Sequence, residues 1–238
     1  MIQHALAKRE QSYENGTAGN TGIGGIILAG GRSSRMNGEM KSLLPLAGMP
    51  VIKRIAVEMS RLCQSVTVAA AYEHQAQHYS RLGLSVALDE APDCGPLVAF
   101  YSALQKREEE LVWLSACDMP LVSAKSAEWM VQQLKVSGAM AVIPEIGGKL
   151  HPLQAIYRKE SINLLAPLVA AGERRMGVLM QRLEPLIVTE QALLDAGIDP
   201  RFVCNMNTPE QYERLQQSFS VREEARSFPV GEEARQYG

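Results

Sequence analysis

The chain has 238 residues, with 24 Lys and Arg against 26 Asp and Glu, a formal net charge of -2. That length suits one large α/β unit or two small lobes, and either can bury a sizeable core. A composition of 46% hydrophobic and 21% charged residues excludes a largely disordered chain. The charge balance argues against a dedicated nucleic-acid binder, which carries a basic excess or stripe.

Cysteines at positions 63, 94, 117 and 204 are far apart and form no CxxC pair, so neither structural zinc nor a disulfide framework is expected. Residues 1–22, MIQHALAKREQSYENGTAGNTG, are polar and hold no apolar run of the kind that targets or spans a membrane. They read as a flexible leader of a reduced, cytoplasmic protein. Residues 219–238 read as a charged tail interrupted by Pro229, which leaves 23–218 for one folded domain.

Within that domain the pattern alternates. GGIILAG (24–30) is a continuous apolar run ending in glycines, as in a buried parallel strand. A helix opened by Pro50 follows to Leu62, then a strand over 65–71, a helix over 73–82 and a strand over 84–89. A helix over 96–109 leads to ELVWLSACD (110–118), the clearest buried strand, and Ser123 caps a helix to Lys135. Strand and helix alternating four times predict a mainly parallel sheet with helices on both faces. Beyond Gly138 the pattern loosens: strands over 139–145 and 152–157, helices over 161–171 and 174–183, and a strand over 186–188. A short helix, a strand near 202–204 and a helix over 209–217 complete the domain.

The chemistry concentrates after the first strand, in LAGGRSSRMNGEMKSLLPLAGMP (28–50). Gly30 and Gly31 let the backbone turn tightly and approach a ligand. Ser33, Ser34 and the amides around them suit an anion-binding concavity, and Arg32, Arg35 and Lys41 add three cations. Ligands of open α/β sheets bind outside the carboxyl ends of the strands, where this loop must lie. Neither GxGxxG nor GxxxxGK[ST] is present. Asp118, at the end of the most hydrophobic strand, is costly to place there without a partner, and magnesium is the natural one. Cys117 beside it, and Met176 and Met180 at helical spacing, read as packing residues.

The segment LAGG-x-S-x-R-M-x-G-x-x-K-x-L-L resembles the signature loop of nucleotidyltransferases that activate sugars and cofactors with NTPs. Three further blocks follow in order: Asp89 ahead of CGPLVA (94–99), SACDMP (115–120), and AGERRMGVLM (171–180) with NMNTPE (205–210). The ordered set resembles the molybdenum cofactor guanylyltransferases over about 24–217. The resemblance implies a Rossmann-like sheet of the nucleotide-diphospho-sugar transferase type and transfer of GMP from GTP, with Mg2+, to the terminal phosphate of molybdopterin. The products would be molybdopterin guanine dinucleotide and pyrophosphate. It further implies that Arg35, Lys41 and Asp118 carry catalysis, with Asp118 on the metal. Leu28, Ala29, Gly30, Gly31, Asp89 and Gly95 would join Lys41 and Asp118 around the nucleotide. Arg174, Arg175, Asn205 and Asn207 would take the pterin acceptor, and partner proteins would belong to cofactor biosynthesis or be molybdoenzymes.

Three positions depart from the family pattern: Met40 where an acidic residue usually precedes the lysine, Ala69–Ala71 where the strand usually ends in Asn, and Ala99 where glycine is common. All three bear on recognition of the base. Two other readings stay open on the residues alone. One is a sister enzyme using CTP or a sugar-phosphate acceptor; the other is a non-catalytic protein that delivers the cofactor.

Overall fold

A computed structural model describes residues 22–30, 35–36, 39–89 and 91–227. The proposed leader up to residue 21, the tail beyond 227, and Gly31, Arg32, Ser33 and Ser34 of the glycine loop lie outside the described residues.

The core is a sheet whose strands alternate their side chains between two helical layers. β1 (Ile23–Ala29) lies inside it, flanked by β6 (Ser65–Ala70) on one side and β8 (Leu111–Ala116) on the other, both parallel to it. β7 (Ser85–Leu88) extends the parallel run beyond β6. The spatial order β7-β6-β1-β8 is that of a mononucleotide-binding half, with its topological switch point between β1 and β8. Past β8 the sheet turns antiparallel through β11 (Ala155–Arg158), which pairs with β9 (Ala141–Ile146). The short β10 (Lys149–Leu150) and β12 (Leu186–Thr189) both pair with β9.

Period-two alternation decides which face each residue joins. Ile27 and Ala29 of β1 point into a core built with α1 (Val51–Met59), α2 (Glu73–Arg81) and α4 (Ala124–Ser137). Ile26 and Leu28 point into the opposite core, built with α3 (Pro96–Gln105), α5 (Ile162–Ala170) and α6 (Met176–Leu183). Met176 and Met180 are buried in this second core, as packing residues. The α/β architecture with helices on both faces is the one the alternating pattern predicts.

Two small hairpins follow the glycine loop: β2 (Arg35–Met36) with β3 (Glu39–Met40), and β4 (Pro45–Leu46) with β5 (Met49–Pro50). A 3-10 turn over Lys41–Leu43 lies between them. α7 (Glu190–Asp195) is capped by Thr189, whose hydroxyl accepts from the Ala192 amide.

The structure corrects the sequence reading near the C-terminus. The strand expected at 202–204 is a 3-10 helix over Pro200–Val203, opened by Pro200 and capped by Asp199, which accepts from the Arg201 amide. The apolar pair Phe202 and Val203 is buried there without any ladder. The last helix, α8 (Pro209–Ser227), runs well past the expected end at 217 and into the segment read as tail. It docks on the β4–β5 hairpin, where Tyr212 donates its hydroxyl to the Pro45 carbonyl. The Arg54 guanidinium also sits 4.5 Å over the Phe219 ring. Among the described residues, no helix is long and apolar enough to cross a membrane.

Candidate active site

A cavity of about 250 Å³ opens at the carboxyl ends of β1 and β8, the switch point of the sheet. Of the residues singled out in the sequence, Leu28, Gly30, Lys41, Asp89, Gly95, Asp118 and Asn207 line it. The fold therefore gathers pieces of four separate blocks around one space.

Lys41 is buried, and its ammonium donates to both the backbone carbonyl and the side-chain Oδ1 of Asn207, at 3.0 and 3.3 Å. Ser42, the next residue, shares a 2.9 Å hydrogen bond with the buried Tyr79 hydroxyl of α2, which fixes the turn that carries the lysine. Asn207 is held from the other side. Its amide, and that of Thr208, donate to Gln211 Oε1, while Thr208 Oγ1 accepts from the Gln211 amide. This reciprocal cap starts α8 and leaves the Asn207 side chain to the lysine.

Asp118 follows β8 by two residues and is half-buried. Burial pushes its carboxyl above the usual carboxylate range, against a backbone hydrogen bond and the nearby Lys41 charge, which both pull it down. Its own carbonyl accepts from the Met206 amide at 2.7 Å, so the 205–210 block is tied directly to the end of β8. Burial, with the Asp118 carboxylate adding to it, pushes the Cys117 thiol up to about 12, which keeps it a protonated wall residue.

Gly95 caps α3 at φ +90°, and a Cβ there would meet the Arg174 carbonyl at 2.9 Å. The Leu97 amide donates to that same carbonyl at 3.3 Å, so the AGERR loop is clamped over the start of α3 by backbone contact. Arg174 and Arg175 themselves are not buried and do not line the cavity. Arg175 is ion-paired with Glu173 at 3.0 Å. Asn205 is exposed beside the cavity, not on it. Ala29 is buried with its side chain in the α1 core, which leaves only its backbone near the site. Arg35 is placed by its backbone in β2, antiparallel to Met40, one residue before Lys41. Gly31 lies outside the described residues.

The cavity is also lined by Ala71 and Ala99, two of the departures noted in the sequence, by Pro96 and Ala116 of the motif blocks, and by Asp93 and Leu153, which the sequence did not single out. Asp93 sits in a turn closed by the Cys94 amide on the Ala91 carbonyl, and reads in sequence as turn chemistry alone. Among the described residues, no cluster of three or more His, Cys, Asp or Glu is placed to hold a metal. One or two carboxylates facing a site with a lysine suit Mg2+, which keeps waters and takes its remaining ligands from substrate phosphates.

Comparison with known proteins agrees with this fold. A family model described as "MobA-like NTP transferase domain" matches residues 25–186. The chain is 30% identical over 204 residues to a molybdenum cofactor guanylyltransferase of Serratia proteamaculans, covering 85% of this chain and 98% of that one. It is 26% identical over 199 residues to the enzyme of the same name from Shewanella sediminis, covering 83% and 97%. In structure it matches molybdopterin-guanine dinucleotide biosynthesis protein A from Archaeoglobus fulgidus with a TM-score of 0.71 at 23% identity, over 83% of this chain and 99% of that one. The same fold recurs in a 4-diphosphocytidyl-2C-methyl-D-erythritol synthase from Anaerococcus prevotii, at a TM-score of 0.62 and 11% identity over 84% and 99% of the two chains. The chain belongs to the MobA-like NTP transferase domain family and is a nucleotidyltransferase.

Proposed function

We propose that the protein transfers GMP from GTP to the terminal phosphate of molybdopterin, forming molybdopterin guanine dinucleotide and releasing pyrophosphate. The observation that carries this reading is the meeting of Lys41, Asp118 and Asn207 on one cavity at the switch point of the sheet. In the reaction an oxygen of the acceptor phosphate attacks the α-phosphorus of GTP. A new P–O–P bridge forms as the α–β bridging bond breaks, and its electrons leave with pyrophosphate. No protein nucleophile is needed, because the acceptor is already anionic; positioning and charge neutralisation supply the rate.

Lys41 then exchanges its Asn207 partner for triphosphate oxygens, and Arg35 stabilises charge moving onto pyrophosphate. Asp118 holds Mg2+, which when bound neutralises phosphate charge. The backbone of Leu28, Ala29, Gly30 and Gly31, with Asp89 and Gly95, takes the nucleotide. Arg174, Arg175, Asn205 and Asn207 take the acceptor. Asn207 thereby touches both halves of the reaction, since it already holds Lys41. A cytoplasmic location, and transient contact with cofactor-biosynthesis proteins or molybdoenzymes that supply and receive the pterin, fit the same reading.

The test is turnover with each NTP, Mg2+ and molybdopterin, the product identified by mass. GTP alone yielding the dinucleotide supports the proposal. A preference for CTP replaces guanylyl by cytidylyl transfer. Nucleotide binding without pyrophosphate release points to a delivery protein.

A further inference from the structure

Lys41 is held from two sides, and the two holders differ in what a bound triphosphate does to them. The first is Asn207, whose carbonyl and Oδ1 accept from the ammonium at 3.0 and 3.3 Å. Both residues line the cavity, so phosphate oxygens compete with Asn207 for the lysine. The second holder lies in the turn beneath. Lys41 opens the 3-10 turn Lys41–Leu43, and Ser42, the residue after it, is 1% exposed. Ser42 Oγ is 2.9 Å from the hydroxyl of Tyr79, which is just as deeply buried. The two residues are 37 apart in sequence, so their hydrogen bond ties the lysine turn to α2. Burial pushes the Tyr79 hydroxyl above its ordinary value and keeps it protonated.

The rest of the turn is fastened by apolar side chains. Leu44 and Leu46 are buried, and the Leu44 carbonyl accepts from the Val51 amide at the start of α1, at 3.0 Å. Apolar contact is non-directional, whereas a hydrogen bond weakens steeply when it is misaligned. The Ser42–Tyr79 pair also stands close behind the cavity wall. The Cys117 thiol, which lines the cavity, is near enough to both Lys41 and Tyr79 to interact electrostatically with each.

We propose that Tyr79, acting through Ser42, is a positioning residue for Lys41: its hydroxyl sets the orientation of the turn, and with it the place of the ammonium against the triphosphate. Stability alone accounts poorly for the pair, since Phe and Ala at the two positions would leave no polar group unpaired and fold about as well. Orientation is what an apolar pair does not supply. A misplacement of about 1 Å at a reacting centre can cost roughly 10²-fold in rate. The assignment rests on the reading of Lys41 as a triphosphate contact and adds what keeps it in place once Asn207 is given up.

The experiment measures pyrophosphate release from GTP and Mg2+ with molybdopterin, together with thermal unfolding. It takes the parent, Tyr79→Phe, Ser42→Ala, both substitutions together, Lys41→Ala, and Lys41→Ala with Tyr79→Phe. Tyr79→Phe strands the buried Ser42 hydroxyl, and its unfolding midpoint should fall by roughly 3–6 °C. Its kcat should fall roughly tenfold or more, by a larger factor than KM for GTP rises. With Ser42→Ala added, no hydroxyl is stranded: the midpoint should return to within about 2 °C of the parent's while kcat stays low. In the Lys41→Ala background, Tyr79→Phe should change turnover less than about twofold, because no ammonium is left to place.

A kcat that recovers along with the midpoint in the Ser42→Ala, Tyr79→Phe variant would make the pair structural and overturn the assignment. So would a parental kcat in Tyr79→Phe, or the same tenfold loss from Tyr79→Phe with and without Lys41. If Lys41→Ala itself leaves pyrophosphate release unchanged, the triphosphate contact is wrong and the role of Tyr79 goes with it. Should the parent use CTP in place of GTP, guanylyl transfer falls, and the same set of variants run with CTP decides the role of Tyr79.

Discussion

The two ends of the central sheet hold charged residues in opposite ways. At the amino end, Arg107 and Glu109 are almost wholly buried as an ion pair. Arg107 Nε donates to Glu109 Oε2 at 3.0 Å, and its other nitrogens donate to Thr67 Oγ1, to Ser65 and to the second Glu109 oxygen. Ser65 donates to that same oxygen at 2.6 Å, and Lys159 donates to the Arg107 carbonyl. Gly24 leaves room for the cluster, since a Cβ there would stand 2.7 Å from the guanidinium. At the carboxyl end, the Lys41 ammonium is held by Asn207, and Asp118 is half-buried with its charge uncompensated by any direct ion pair among the described residues. One end closes on itself and makes structure. The other keeps its charges turned toward a cavity, which is how a chain stores binding capacity at a cost in stability.

Removing a charge should therefore do different things at the two ends. Arg107→Ala leaves Glu109 buried and unpaired, and should cost about 3–5 kcal/mol in urea unfolding. The turnover of the molecules that remain folded should be unchanged. A loss under about 1 kcal/mol would mean that the amino-end cluster is water-accessible and not the closed pair described.

Lys41→Ala should show the reverse pattern. Pyrophosphate release falls by roughly 10²–10³, the usual worth of one donor aimed at developing charge. The unfolding midpoint moves little, because Asn207, which accepts from the lysine, sits at an exposed position that water can serve. Equal losses of stability at both ends would erase the distinction.

A pH titration sharpens it. Burial alone would raise the Glu109 carboxyl, but its hydrogen bonds from Ser65, the backbone and Arg107, with the Arg107 charge, outweigh burial and hold it below its ordinary value. A carboxyl depressed in the folded state stabilises the fold above its unfolded pKa, and that stability is lost as pH falls through the folded one. Urea midpoints measured downward from neutral pH should fall once the usual carboxylate range is passed. Glu109→Gln should flatten that part of the profile, and an unchanged profile would assign the acid sensitivity elsewhere.

The same contrast governs what the sequence could disclose. Apolar periodicity, a Pro at a helix start and Ser123 at a cap placed β1 and the elements from α1 to α4 within a few residues, since those signals are local, while the two short hairpins between β1 and α1 went unread. The 202–204 segment misleads because two adjacent apolar residues look like a strand, while Asp199 and Pro200 open a helical turn just ahead of them. α8 outruns its expected end because its extension carries the run Arg-Glu-Glu-Ala-Arg, good helix formers that sustain a helix by propensity without an apolar stripe. In the site, Lys41 and Asp118 stand out by their chemistry next to glycines and a buried strand. Their convergence with Asn207, 166 residues from Lys41, follows from the docking of α8 and has no local signal.

The smallest effect tests the comparison most closely. Burial holds the Asp118 carboxyl above its ordinary value, so the folded chain binds that proton more tightly than the unfolded chain does. Stability from this group is then full at low pH and declines as pH rises through the window between the usual value and the raised one. Above that window and without metal, the ionised carboxylate is a standing cost to the fold. Asp118→Asn removes that charge at constant shape and should raise the metal-free unfolding midpoint by roughly 2–4 °C, the shift that about 1 kcal/mol gives in a chain of this size. The same substitution should abolish the further rise that GTP with Mg2+ gives the parent, as ligand linkage requires. A variant less stable than the parent would show that Asp118 already has a structural partner, and the carboxyl end of the sheet would then be as closed as the amino end.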